Sequence, residues 1–167
     1  TMHANQHEKL WDLLRAQGYN LDPVLWVVQK VAFDWIEKAM PDKANYALVA
    51  GLEHFTAMFG EIYFENPELM NKMHGEMKRL FEWHAAEEIE HKAVAYDQLM
   101  QIDDSYALRT GVMNLAVVGL YLITFGNAFY FMAQDRSLFN PKEWLTIADV
   151  FFGKYDLARK TLVKFLE

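Results

Sequence analysis

The sequence predicts an all-α fold, a helical bundle in a single domain over residues 1–167. Three observations predict it. Apolar residues recur at three- and four-residue intervals along most of the chain, the period of an amphipathic helix. Helix starts are punctuated by a capping residue and a proline, at Asp22-Pro23, Asn66-Pro67 and Asn140-Pro141. The composition is 53% hydrophobic with five Trp, eight Tyr and twelve Phe, enough to build a core from 167 residues.

The first helix is expected over Thr1–Gln17. His3, His7, Leu10 and Leu14 share one face, so two histidines lie on an apolar stripe. It starts without a cap, and the last helix has no stop at Glu167, so the chain reads as cut at both ends. Gly18-Tyr19-Asn20 ends the first helix, and the second runs from Pro23 to about Met40. Its Lys30, Asp34, Glu37 and Lys38 pair at i, i+4 on a solvated face. Asp42 is the expected cap of a third helix through about Tyr63, which carries Glu53 among Ala, Leu, Val and Phe, with His54 at the stripe's edge. Asn66-Pro67-Glu68 is expected to start a long fourth helix ending near Ile102. Asp103, Asp104 and Ser105 form the next turn and cap.

From Thr110 to Gln134 there are 25 residues without a formal charge, bounded by Arg109 and by Asp135-Arg136. The length fits a membrane span, but recurring glycines and two asparagines on different faces favour a central helix buried on all sides. Burial is the reading carried forward, and membrane association through 110–134 is the alternative. Asn140-Pro141-Lys142-Glu143 then starts an amphipathic helix expected to run unbroken to the end. The metal-site helices thus occupy 1–102, and the long apolar helix and the C-terminal helix occupy 103–167.

Several function classes are excluded by composition. The net charge of −7 without a basic cluster argues against nucleic acid as a partner. With no cysteine, a thiolate site, a disulfide and a Cys nucleophile are all absent. Without a signal peptide either, the cytoplasm is the expected location, with membrane association the alternative. Self-association is left open.

The chemistry is concentrated in Trp83-His84-Ala85-Ala86-Glu87-Glu88-Ile89-Glu90-His91. At 100° per residue His84, Glu87, Glu88 and His91 fall within one arc of about 100°, while Glu90 points elsewhere. That arc continues a core-facing stripe of Met70, Met73, Met77 and Leu80. Burying four such side chains without partners costs several kcal/mol each, so they imply a metal or a dense polar network. Glu88-x-x-His91 is the i, i+3 spacing by which helical bundles hold paired metals. Candidate ligands are Glu53, Glu88, His91, His3, His7 and Glu87, with His84 and Glu87 as candidate acid–base groups. His54 is a candidate support for the ligands.

Gly51-Leu52-Glu53-His54-Phe55-Thr56 and the Trp83–His91 segment resemble the two signature segments of the bacterial family called "predicted metal-dependent hydrolase", and Met2–Glu8 is similar to the tail of that family's histidine-bearing helix. The resemblance implies a ferritin-like bundle with a metal site carried on His3, His7, Glu53, Glu87, Glu88 and His91, and a longer chain than this one. No hydrolytic nucleophile is recognisable here.

Two divalent metals, iron ahead of manganese or zinc, are the expected cofactors, since His and carboxylate ligands suit all three. The reading preferred on chemistry is a non-haem di-iron enzyme that activates O₂ and oxidises a small apolar organic substrate. In it Glu88 and Glu53 bridge or chelate, and His3 and His91 each cap a metal. The alternative is a two-metal hydrolase with Glu87 as general base and His84 as added ligand or acid. A metal-storing or structural bundle is the non-enzymatic reading.

Overall fold

The computed structural model describes the backbone of residues 2–166 and the side chains of residues 5–166. All regular structure among them is helical, as expected. The elements are α1 (Met2–Ala16), α2 (Asp22–Val27), a π-helix (Val28–Glu37), α3 (Asp42–Glu65), α4 (Pro67–Met70), α5 (Gly75–Ile102), α6 (Tyr106–Gln134), α7 (Pro141–Phe152) and α8 (Leu157–Leu166).

The hub is α3, which packs against α4, α5, α6 and α8. Its Ala47, Ala50, Phe55, Met58 and Ile62 are buried, and Ala47 and Ala50 close on Leu99 of α5 with Leu108 and Val112 of α6 alongside. Two glycines let neighbours come close. A Cβ on Gly51 would lie 3.1 Å from Met113 Cα of α6, and one on Gly60 would lie 2.8 Å from the Ala85 carbonyl oxygen of α5. α5 runs antiparallel to α3, with Tyr63 stacked on Phe81, Gly60 against Ala85 and Thr56 against Glu88. α8 is tied to α3 by Lys164, 3.0 Å from Glu61 and 2.8 Å from Glu65.

Asp42 lies in the first turn of α3 behind Pro41 and does not cap it with its side chain, and four larger expectations also need correction. The second helix is α only as far as Val27 and then widens into a π-helix. Its polar face is as expected, with Asp34 2.7 Å from Lys30 and 3.0 Å from Lys38. Asn66-Pro67 starts only the short α4. The chain then breaks at 71–74 and restarts with the His74 side chain accepting the Glu76 amide. A histidine imidazole can cap like an Asn, a signal that a search for Ser, Thr, Asp and Asn misses.

The C-terminal helix is two helices. Gly153 takes φ −102°, ψ −125°, and the Lys154 amide donates to the Asp149 carboxylate at 3.2 Å. A Cβ at Gly153 would meet Asp149 backbone atoms at 2.8 Å, so only glycine fits this exit. The fourth correction concerns α6. Of its most apolar 18-residue window, with mean hydropathy 1.7, only 6% is buried. The central position belongs instead to α3, because small residues on α3 bring the other helices to it and leave one side of α6 uncovered.

Candidate metal centre

Glu53 is offered by α3; Glu88 and His91 are offered by α5. The antiparallel register sets these positions against each other one to two turns from the close Gly60–Ala85 contact. One ligand atom from each of the three lies within 4.8 Å of the others. His91 Nδ1 is 3.6 Å from Glu53 Oε2. Donors around a cation at about 2.1 Å stand roughly 3–3.5 Å apart, so small side-chain adjustments close the set around one ion. Two carboxylates and an imidazole suit a divalent metal of the Mn, Fe or Zn kind.

The three donors differ in exposure. The Glu88 side chain is 12% exposed, Glu53 27% and His91 45%, so one wall is dry and the other meets solvent. Glu88 is held on both oxygens. The Thr56 hydroxyl donates to Oε2, and His84 Nε2 stands 3.5 Å from Oε1. The carbonyls of Leu52 and Glu53 are also within reach of that hydroxyl, at 3.1 and 3.2 Å, but a charged carboxylate is the stronger acceptor. Thr56 was not singled out by the motif. The signal was present, because Thr56 is three residues after Glu53 and shares its face.

His84 is also the link to α1. Its ring meets the His7 ring edge-on with centroids 5.5 Å apart, beside a small cavity of about 110 Å³ bounded by Leu10, Leu80 and Phe81. His7 thus joins the site through His84 and lies outside the three-donor cluster. Glu87, one residue before Glu88, is half-buried and likewise outside the cluster, and Glu90 is exposed on the opposite side. The His3 side chain lies outside the described residues.

His54 faces away from the cluster, into a cleft of about 670 Å³ between α3, α5, α6 and α8. Burial, followed by the nearby Lys92 charge, holds its pKa below the ordinary histidine value. A third cavity, about 420 Å³ and almost wholly apolar, is lined by Phe55, Phe59, Tyr121, Phe125, Trp144 and Phe151 among others. Phe55 is two residues from Glu53, about 160° round the helix, so this cavity and the cluster lie on opposite sides of α3.

Among curated proteins and among solved structures no match is found. The family described as "Predicted metal-dependent hydrolase" matches over residues 1–167. With the three convergent donors it agrees on metal dependence, and the chain belongs to this family of predicted metal-dependent hydrolases.

Proposed function

We propose that the protein is a hydrolase working through a divalent cation held by Glu53, Glu88 and His91. The observation that carries the reading is the convergence of these three side chains from two helices, in a chain of this family. A cation there would polarise a substrate carbonyl or phosphoryl oxygen and make a bound water more acidic. Hydrolysis therefore replaces the oxidative reading preferred from the sequence, since the family is described by hydrolysis and lends no support to O₂ activation.

The protein's own groups take the remaining work. Glu88, gripped by Thr56 and neighboured by His84, is the oriented ligand. His91, the most open donor, marks the side on which substrate arrives. His84 stands between Glu88 and His7 and is assigned the proton transfer, while Glu87 is the second candidate for it. We place one cation in the cluster. The two-metal arrangement expected from the sequence would add a position near His7 and His84.

Metal titration by calorimetry, with metal content measured after dialysis, tests the assignment. Glu88→Gln and His91→Ala are each expected to abolish stoichiometric binding of Mn²⁺, Fe²⁺ or Zn²⁺ while circular dichroism stays helical. Full binding by both variants would end the proposal. A panel of ester and phosphoester substrates then reads activity, which should disappear with chelator and return with metal. Oxygen uptake without substrate cleavage by the metal-loaded protein would restore the oxidative reading.

A further inference from the structure

The cleft of about 670 Å³ into which His54 faces combines an apolar floor with a cation that the fold leaves half used. That cation is Arg109, half-buried in the first turn of α6. The rings of Tyr96 and Tyr106 each stand 5.6 Å from its guanidinium carbon. Its Nη1 donates to the Asp104 carbonyl at 3.2 Å and to Met100 Sδ at 3.1 Å. Among the described residues Nε and Nη2 donate to nothing, and no carboxylate oxygen lies within 4.0 Å of the guanidinium. An arginine fixed by two rings and one nitrogen, with its Nε–Nη2 edge unused, is a preformed fork for a planar carboxylate.

The floor leaves room for what such an anion carries. Ala47, Ala50 and Gly51 of α3 and Ala93 of α5 line the cleft with little or no side chain. Leu99 and Leu108, the neighbours of Met100 and Arg109, pack on Ala47 and Ala50, so the guanidinium lies at the Ala47 end. From Ala47 to His54 the helix rises about 10 Å. Lys92 lines the cleft as well, but its charge is already answered by Glu61 at 3.6 Å. Arg109 is therefore the cation with capacity to spare.

We propose that this cleft binds a small amphipathic carboxylate, its head on the Nε–Nη2 edge of Arg109 and its apolar body along Ala50, Gly51 and Ala93 towards His54. A mostly apolar pocket of this size with a few placed polar groups is the usual form of a small-molecule site. It lies apart from Glu53, Glu88 and His91, since His54 faces away from them, so the ligand needs no metal. Asp97 is the carboxylate among the described lining residues, and it is exposed. Its charge opposes an anion and would favour a cation, which gives the sign of the ligand a direct test.

Octanoate, whose extended chain is of that length, is the probe, titrated by calorimetry into the full chain with and without metal. It is expected to bind once per chain and equally tightly in both states. Arg109→Gln should weaken it about 10–100-fold, the effect of losing hydrogen bonds to a charged group, and leave the binding of 1-octanol unchanged. Arg109→Lys keeps the charge without the fork and should recover little of the loss. Ala93→Phe, at an exposed position that lines the cleft, should abolish binding of both probes while circular dichroism stays helical. Asp97→Asn should tighten octanoate severalfold, and weakening there would overturn the proposal. So would octanoate bound no more tightly than 1-octanol. Binding left intact by both Arg109→Gln and Ala93→Phe would place the probe in the apolar cavity beside Trp144 and refute the site. Tighter binding of octyl phosphate than of octanoate would overturn the choice of a carboxylate.

Discussion

Gly60 is where the distance between the metal ligands is set, and Gly60→Ala tests that claim. The new Cβ would start 2.8 Å from the Ala85 carbonyl oxygen and 3.4 Å from its Cα, both backbone atoms that cannot rotate away. Ordinary contact requires α3 and α5 to part by about 0.5 Å. Replacing a mid-helix glycine by alanine gains about 1 kcal/mol of helix propensity, and overpacking costs about 1–3 kcal/mol. The metal-free variant should therefore lie between neutral and about 2 kcal/mol less stable. Glu88 is within one turn of this contact and Glu53 and His91 within two, so the separation reaches all three donors. Metal affinity is expected to fall by about tenfold or more, as for other disturbances of ligand placement.

The matched control is Gly51→Ala, whose Cβ would lie 3.1 Å from Met113 Cα on α6, away from the donors. It should change stability and leave metal affinity unaltered. Urea unfolding of the metal-free proteins and calorimetric metal titration measure the two quantities separately. A Gly60→Ala protein stabilised by the full propensity gain and binding metal as tightly as the parent would refute the reasoning.

Three further outcomes are expected. Thr56→Val removes the hydroxyl that orients Glu88 and should weaken metal binding by about 10–100-fold in titration, with Thr56→Ser restoring most of it. Lys164→Met unties α8 from Glu61 and Glu65 and should lower stability by about 1 kcal/mol in urea unfolding, the loss shrinking in high salt. On the π-helix, hydrogen bonds from Lys30 and then Lys38 hold the Asp34 carboxyl down to about 2, from an ordinary 3.8. The folded value is below the unfolded one, so this contribution is present above about pH 4 and is lost as pH falls towards 2. Asp34→Asn should flatten that part of the acid unfolding curve followed by circular dichroism.

The three candidate donors were legible because they break a strong pattern: Glu88 and His91, with His84 beside them, interrupt an apolar stripe, and Glu53 does the same on α3. What joined them was not legible. Gly60 in the sequence is merely a helix-weakening residue, and its role appears only when the Ala85 carbonyl lies against it. Thr56 lies in a signature segment without being a metal-ligand type, and its value depends on which helix faces it. Helix starts at Pro23, Pro67 and Pro141 were readable from local chemistry. The restart at His74 and the exit at Gly153 depend on particular side-chain contacts, with Glu76 and Asp149. For α6, composition gave length and apolarity, but burial is decided by which neighbours can come close. That choice was made by Ala47, Ala50 and Gly51 on α3.

The antiparallel pairing of α3 with α5 also bears on the order in which the molecule assembles. Both helices of the site belong to one stretch of chain, joined through α4, so their contacts need little loop closure and can form early in folding. α1 meets α5 at a few side chains such as His7 and His84, which gives it the low local contact density of a segment that opens by itself. Amide exchange should therefore be slowest along the buried parts of α3 and much faster in α1. Detachment of α1 would then bare Leu80, Phe81 and His84 without unfolding the helices that carry the three donors.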